Sequence, residues 1–249
     1  MLPVAAVALA ALLFAQATVR LRRRGRADLA GWDRAALFGL GLALTLVALV
    51  GPVDRIAEDD LLSVHMLQHL LIGDAATALM VVAVRGPLLV FLLPAAMLAP
   101  LARSRRVRAS LSALLRPRVA FGLWAANLAV WHVPYLYDLA LRHDSVHYTE
   151  HACWVVAGLV AWTLLVDPGS HRRLTVGGRI AFAAAMFAAG QVLADVLVFS
   201  SHPLYPAYPG RLDQQLAGAA MMAEQLVTLG TLAFLLLRPR LRRARLAPA

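Results

Sequence analysis

The chain has no lysine, a single cysteine at Cys153, and charge on only 15% of its 249 residues. One cysteine excludes an intrachain disulfide and with it a disulfide-framed secreted scaffold. So little charge excludes an ordinary soluble domain, where roughly a quarter of residues are charged. What takes its place is apolar: 61% of residues are hydrophobic and the mean hydropathy is +0.69. The net charge of +10 would suit nucleic acid. The arginines that carry it, however, sit in clusters between apolar runs, the pattern of membrane anchoring and not of a nucleic-acid face. The expected partner is therefore the lipid bilayer, with no nucleic acid.

A helix needs about 20 apolar residues to cross a bilayer. By that measure the chain has seven spans, at 2–19, 35–53, 61–84, 119–141, 146–166, 176–200 and 214–236. The run 88–101 is short and holds Pro94 and Pro100, so a re-entrant or interfacial segment is expected there. Ala15-Gln16-Ala17 loosely mimics a signal-peptidase site, but no basic residue precedes the first apolar run and five arginines follow between Arg20 and Arg26. An uncleaved first span is the expectation. This arrangement puts 21 of the 24 arginines on one side and leaves Arg55, Arg142 and Arg211 on the other. Such a bias predicts an outside N-terminus and a cytoplasmic C-terminus. The expected fold is all-α: a polytopic membrane helix bundle of about seven transmembrane helices forming one domain over 1–249. The expected location is the bacterial cell membrane, as a multi-pass protein.

Histidine took no part in that topology, yet seven of the eight fall in its outer half: His65, His69, His132, His143, His147, His151 and His202. Only His171, in a basic loop, falls inside. His65 and His69 share one helix face, and His143, His147 and His151 repeat the four-residue spacing at the head of the span 146–166. At about 1.5 Å per residue, His69 lies roughly 12 Å below the outer surface, with His132 at similar depth and His151 somewhat higher. Pro134 removes a backbone hydrogen bond and predicts a bend beside His132. Asp74 is turned about half a circle from His65 and is expected to face elsewhere.

Histidine at that depth is costly and marks a functional site. Imidazole suits copper, zinc, iron and nickel, and thioether shifts preference toward Cu(I). The expected metal ligands are His65, His69, His132, His147 and His151. A lower tier comprises Asp138, His143, Glu150, Asp195, Met221 and Met222, with the carboxylates positioned to orient rings. Cys153 reads as a small buried hydrophobe, and Trp131, Tyr135, Trp154 and Trp162 as interface-belt or core residues.

His65-Met66-Leu67-Gln68-His69-Leu70-Leu71, Trp131-His132-Val133-Pro134 with Tyr137-Asp138, and His147 with Glu150-His151 occur in that order. Together they resemble the signature of the bacterial multi-span cytochrome c oxidase assembly factors called CtaG, also known as caa3-type oxidase assembly factors. The resemblance is specific over roughly 60–170 and covers the span pattern of the whole chain. It implies an assembly factor without catalytic turnover that binds copper on the outer side. Its implied partners are cytochrome c oxidase subunits and extracytoplasmic copper chaperones. Two other readings stay open on the residues alone: a zinc-dependent membrane hydrolase acting on lipids, with Glu150 or Asp195 as base, and a haem-binding membrane protein with histidines as axial ligands.

Overall fold

A computed structural model describes residues 2–246, with side chains described through 239. The tail residues Arg240, Arg242, Arg243 and Arg245, expected on the cytoplasmic side, lie outside the described side chains. Among the described residues the chain is mostly helical and has no strand. Among the described residues six helical stretches are long and apolar enough to cross a membrane, and a bent pair, taken as one span, makes a seventh.

Helix α1 runs Leu2–Arg23 and α2 runs Trp32–Leu49. At the end of α2 the chain turns through Gly51 at φ 88°, a left-handed conformation glycine adopts without strain. Pro52 then opens α3, Pro52–Asp59, from its first position, where its missing N–H costs nothing. The acidic stretch that joins the second and third spans is thus mostly a short helix, which carries Asp54, Glu58 and Asp59.

The third span is one rod with a defect. Helix α4 (Leu62–Leu70) passes through a π-helical turn, Leu71–Ala75, into α5 (Ala76–Ala83). The head of α4 has no cap of its own, since Leu61 supplies none. Asp213 supplies it from the last helix, accepting from the backbone of Leu62 at 2.7 Å and of Ser63 at 3.2 Å. A carboxylate there also meets the positive end of the helix dipole.

The segment 88–101 makes no spanning helix. It forms α6 (Pro87–Phe91) and α7 (Ala95–Arg103), broken before Pro94. The carbonyls freed at the break are taken by α1: Gln16 donates to Phe91 and Leu92, and Arg20 to Phe91 and Leu93. The amphipathic helix α8, Arg105–Leu114, follows with no buried residue.

The fourth expected span, 119–141, is two helices. Helix α9 (Pro117–Trp131) and α10 (Pro134–Arg142) meet at 75° across His132-Val133. Proline opens α10 where it would have broken a continuous helix. Helices α11 (Asp144–Val166), α12 (Val176–Phe199) and α13 (Arg211–Leu246) complete the bundle.

The two ends of the bundle differ in chemistry. At one end the head of α2, helix α8 and the connections that follow α5 and α11 lie together: Arg34 donates to the Arg85 carbonyl, Gly86 to Pro168 at 2.7 Å, and Arg173 to Ser112 at 3.3 Å. This arginine end lies opposite the histidine end, where α3, the α9–α10 bend, the head of α11 and the loop 200–210 converge.

Candidate metal centre

Helix α4 places His65 and His69 one turn apart and buried, and α11 brings His147 and Glu150 to face them. What lets two helices approach so closely is Gly158. A Cβ there would stand 1.8 Å from the Gly73 carbonyl in the π-helical turn. Without a membrane-internal hydrophobic drive, small residues at such crossings set the distance between helices. The π turn itself begins two residues after His69, and single-turn π segments cluster at functional sites.

One ligand atom from each of His65, His69, His147 and Glu150 lies within 4.8 Å of all the others. His65 Nε2 is 3.2 Å from His69 Nε2, and His69 Nε2 is 3.5 Å from a Glu150 oxygen. The back of two rings is held. The Nδ1 of His65 lies 3.2 Å from the Ala57 carbonyl and 3.1 Å from the Tyr208 hydroxyl. The Nδ1 of His147 lies 2.9 Å from Glu58. Both contacts assign the proton to Nδ1 and turn the Nε2 lone pair inward, the arrangement a metal-binding imidazole needs.

The interior of the group is short of hydrogen bonds. Both Glu150 oxygens and His147 Nε2 are buried without a partner. Buried polar atoms are nearly always paired, so three such atoms in one place ask for an occupant. A carboxylate facing three imidazoles matches a divalent or monovalent cation in charge and donor type. The residues present therefore fit a metal ion.

Outside the spans, burial raises the carboxyl of Glu58 above the ordinary carboxylate range, helped by the neighbouring Asp59 and Asp144. Burial raises Asp54 likewise, with Glu58 adding to it. Asp54 also accepts from Gln68 at 2.7 Å, tying α3 to α4.

The other expected ligands flank this group. The His151 ring is 4.1 Å from His147 and 5.4 Å from His69, with its Nε2 unpaired. His132 sits at the α9–α10 bend, its Nε2 directed at Met66 Sδ, 3.2 Å away. Met221 is buried beside it, while Met222 packs on the apolar core. Asp138 turns to Arg142 at 3.7 Å. His143 is exposed ahead of α11, and Asp195 is exposed on α12, so neither joins the group. His202 is exposed. Asp74, expected to face elsewhere, instead accepts from the Trp162 indole on α11 at 2.5 Å and borders the same cavity as His69, because the π-helical turn shifts its place on the helix. Cys153 is only half-buried and lines a groove with Leu2, Leu123 and Tyr148, so it is no core residue.

Several participants carried no sequence signal of their own. Glu58 lay in an acidic run that reads as a solvated loop. Tyr205 and Tyr208, spaced by proline in what reads as an outer loop, fold inward and are almost fully buried. Tyr205 donates to the His132 carbonyl at 3.2 Å. Trp154, read as belt or core, lies flat against His69 at 5.3 Å.

A family model described as cytochrome c oxidase caa3 assembly factor (Caa3_CtaG) matches residues 12–243. The chain belongs to that family. No curated protein and no solved structure matches it. Membership makes this CtaG chain a cytochrome c oxidase assembly factor, associated with the oxidase and the membrane. His65, His69, His147 and Glu150 all fall inside the matched stretch.

Proposed function

We propose that this CtaG protein binds copper at the His65–His69–His147–Glu150 group and supports its delivery to cytochrome c oxidase. The observation that carries the reading is the convergence of four ligand atoms within 4.8 Å in a buried site whose Glu150 oxygens have no hydrogen bond. Three imidazoles and a carboxylate accept Cu(II) or zinc; the oxidase context of the family selects copper. The group is closed by Tyr137, Tyr208 and Trp154 at ring distances of 5.0 to 6.3 Å from a member histidine. That enclosure favours a bare ion over a haem macrocycle.

The histidine end faces the outside of the bacterial cell membrane in this reading, and the arginine end the cytoplasm. The support is the arginine bias, a signal of orientation independent of the site. Copper would then be received from extracytoplasmic chaperones and passed to an oxidase subunit without chemical turnover.

Elemental analysis of protein purified from copper-supplied cells tests this. The wild type is expected to retain copper through dialysis, and a His69→Ala/His147→Ala variant to retain one equivalent less. Cells carrying that variant should assemble oxidase with a reduced copper content. Zinc in place of copper, with hydrolysis of lipid amides, would instead make the protein a membrane hydrolase. A variant that retains as much copper as the wild type would overturn the site.

A further inference from the structure

We infer that the protein holds a second metal site, distinct from the four-ligand group and selective for Cu(I), formed by Met66, His132 and Met221. The site begins at the α9–α10 bend. Helix α9 ends at Trp131, and the backbone N–H of His132 bonds to Val130. The Leu128 carbonyl, one turn back, accepts from the His132 ring instead: its Nδ1 lies 2.7 Å away. Two acceptors cannot sit that close without a proton between them, so Nδ1 carries the hydrogen. The Nε2 of the same ring must then bear its lone pair.

That lone pair points at the sulfur of Met66, 3.2 Å away. A thioether has no hydrogen to offer, and neither has this nitrogen. Two electron donors thus face each other in a buried place, with His132 only 9% exposed. A small cavity of about 30 Å³ adjoins them, bordered by Met66, His132, Met221, His69, Asp74 and Gln225. It has room for an ion or for a water molecule or two. Met221, from α13, is buried at its wall. Asp74 is already committed to the Trp162 indole through its Oδ1.

Two thioethers and one neutral imidazole form a soft, uncharged donor set. Such a set prefers Cu(I) and disfavours zinc and Cu(II), which want the imidazole–carboxylate group above. The two sites are neighbours: Met66 lies between His65 and His69 in sequence, and His69 borders the cavity. This second site extends the copper reading of the chain, but its contacts are its own and its test is separate.

The test is an anaerobic titration of the purified full-length protein in detergent with Cu(I), competed against a colorimetric chelator, and a parallel titration with Zn(II). A Met66→Leu/Met221→Leu variant keeps side-chain volume. It should lose one equivalent of bound Cu(I) and keep its Zn(II) affinity within about twofold. A His147→Ala/Glu150→Gln variant should lose the Zn(II) equivalent and retain sulfur-ligated Cu(I). X-ray absorption of the Cu(I)-loaded wild type should show sulfur neighbours, a result that holds even where a variant fails to fold. Cu(I) bound without sulfur neighbours, or undiminished in the methionine variant, overturns the second site. Loss of Zn(II) binding from the wild type alone would overturn the four-ligand group and leave the second site standing.

Discussion

At the scale of single residues, the site works through the atoms behind the rings. Glu58 and the Ala57 carbonyl each fix a tautomer, so that His147 and His65 present lone pairs and not protons to the centre. Substituting such a partner of a metal-binding histidine commonly costs 10- to 100-fold in affinity. Glu58→Gln is therefore expected to weaken metal binding by about that much while leaving the helical circular dichroism unchanged, which an equilibrium competition assay reads. The same carboxyl sets a pH dependence. Its protonation equilibrium is shifted upward by burial and by Asp59 and Asp144. As pH falls, Glu58 gains its proton before an ordinary carboxylate would and stops accepting from His147. Metal affinity should begin to drop at a pH above the normal carboxylate range, and Glu58→Gln should abolish that limb of the profile. Neither Glu58 nor Met66 was legible as a site residue. An acid among acids looks solvated, and a methionine between histidines looks like packing. The histidines were legible because an imidazole inside an apolar run has no other good explanation.

At the scale of helices, the spans were legible from length and apolarity, while the departures from regular helix depended on cause. Pro134 announced its bend, and the angle of 75° follows from a proline at the start of α10. The π-helical turn at Leu71–Ala75 had no such marker, because poor helix formers such as Gly73 and Asp74 also occur in regular spans and do not by themselves signal a π turn; there the chain lies close against α11. Gly158 is the test of that packing. In Gly158→Ala, the new methyl group would overlap the Gly73 carbonyl, so α4 and α11 must separate. The expected result is a loss of about 1–3 kcal/mol or more in stability together with loss of the bound metal, seen as a lowered Tm in detergent and in the metal content. The cap from α13 gives a milder prediction. Asp213→Ala removes the acceptor for the head of α4 and should cost about 1 kcal/mol, whereas Asp213→Asn retains an acceptor and should cost a few tenths. Thermal unfolding of the two variants side by side measures the difference.

At the scale of the whole molecule, charge and chemistry are segregated along the bundle: arginine at one end, imidazole and carboxylate at the other. The segregation was legible because both patterns lie in the order of the sequence. The tyrosine loop closing over the site was not, because it joins residues more than 140 positions apart, such as Tyr208 and Ala57. The proposed orientation is tested by labelling whole cells with a membrane-impermeant thiol reagent. Pro206→Cys at the histidine end should react, and Arg105→Cys at the arginine end should not. The opposite pattern would put the site in the cytoplasm and detach it from extracytoplasmic copper. The central claim is that imidazoles from α4 and α11 share one ion, and the most direct measurement is pulsed electron paramagnetic resonance of the protein loaded with one equivalent of Cu(II). The account predicts nitrogen couplings from more than one histidine, lost in His65→Ala/His69→Ala. A spectrum of hydrated copper, or one that the double substitution leaves unchanged, would contradict it.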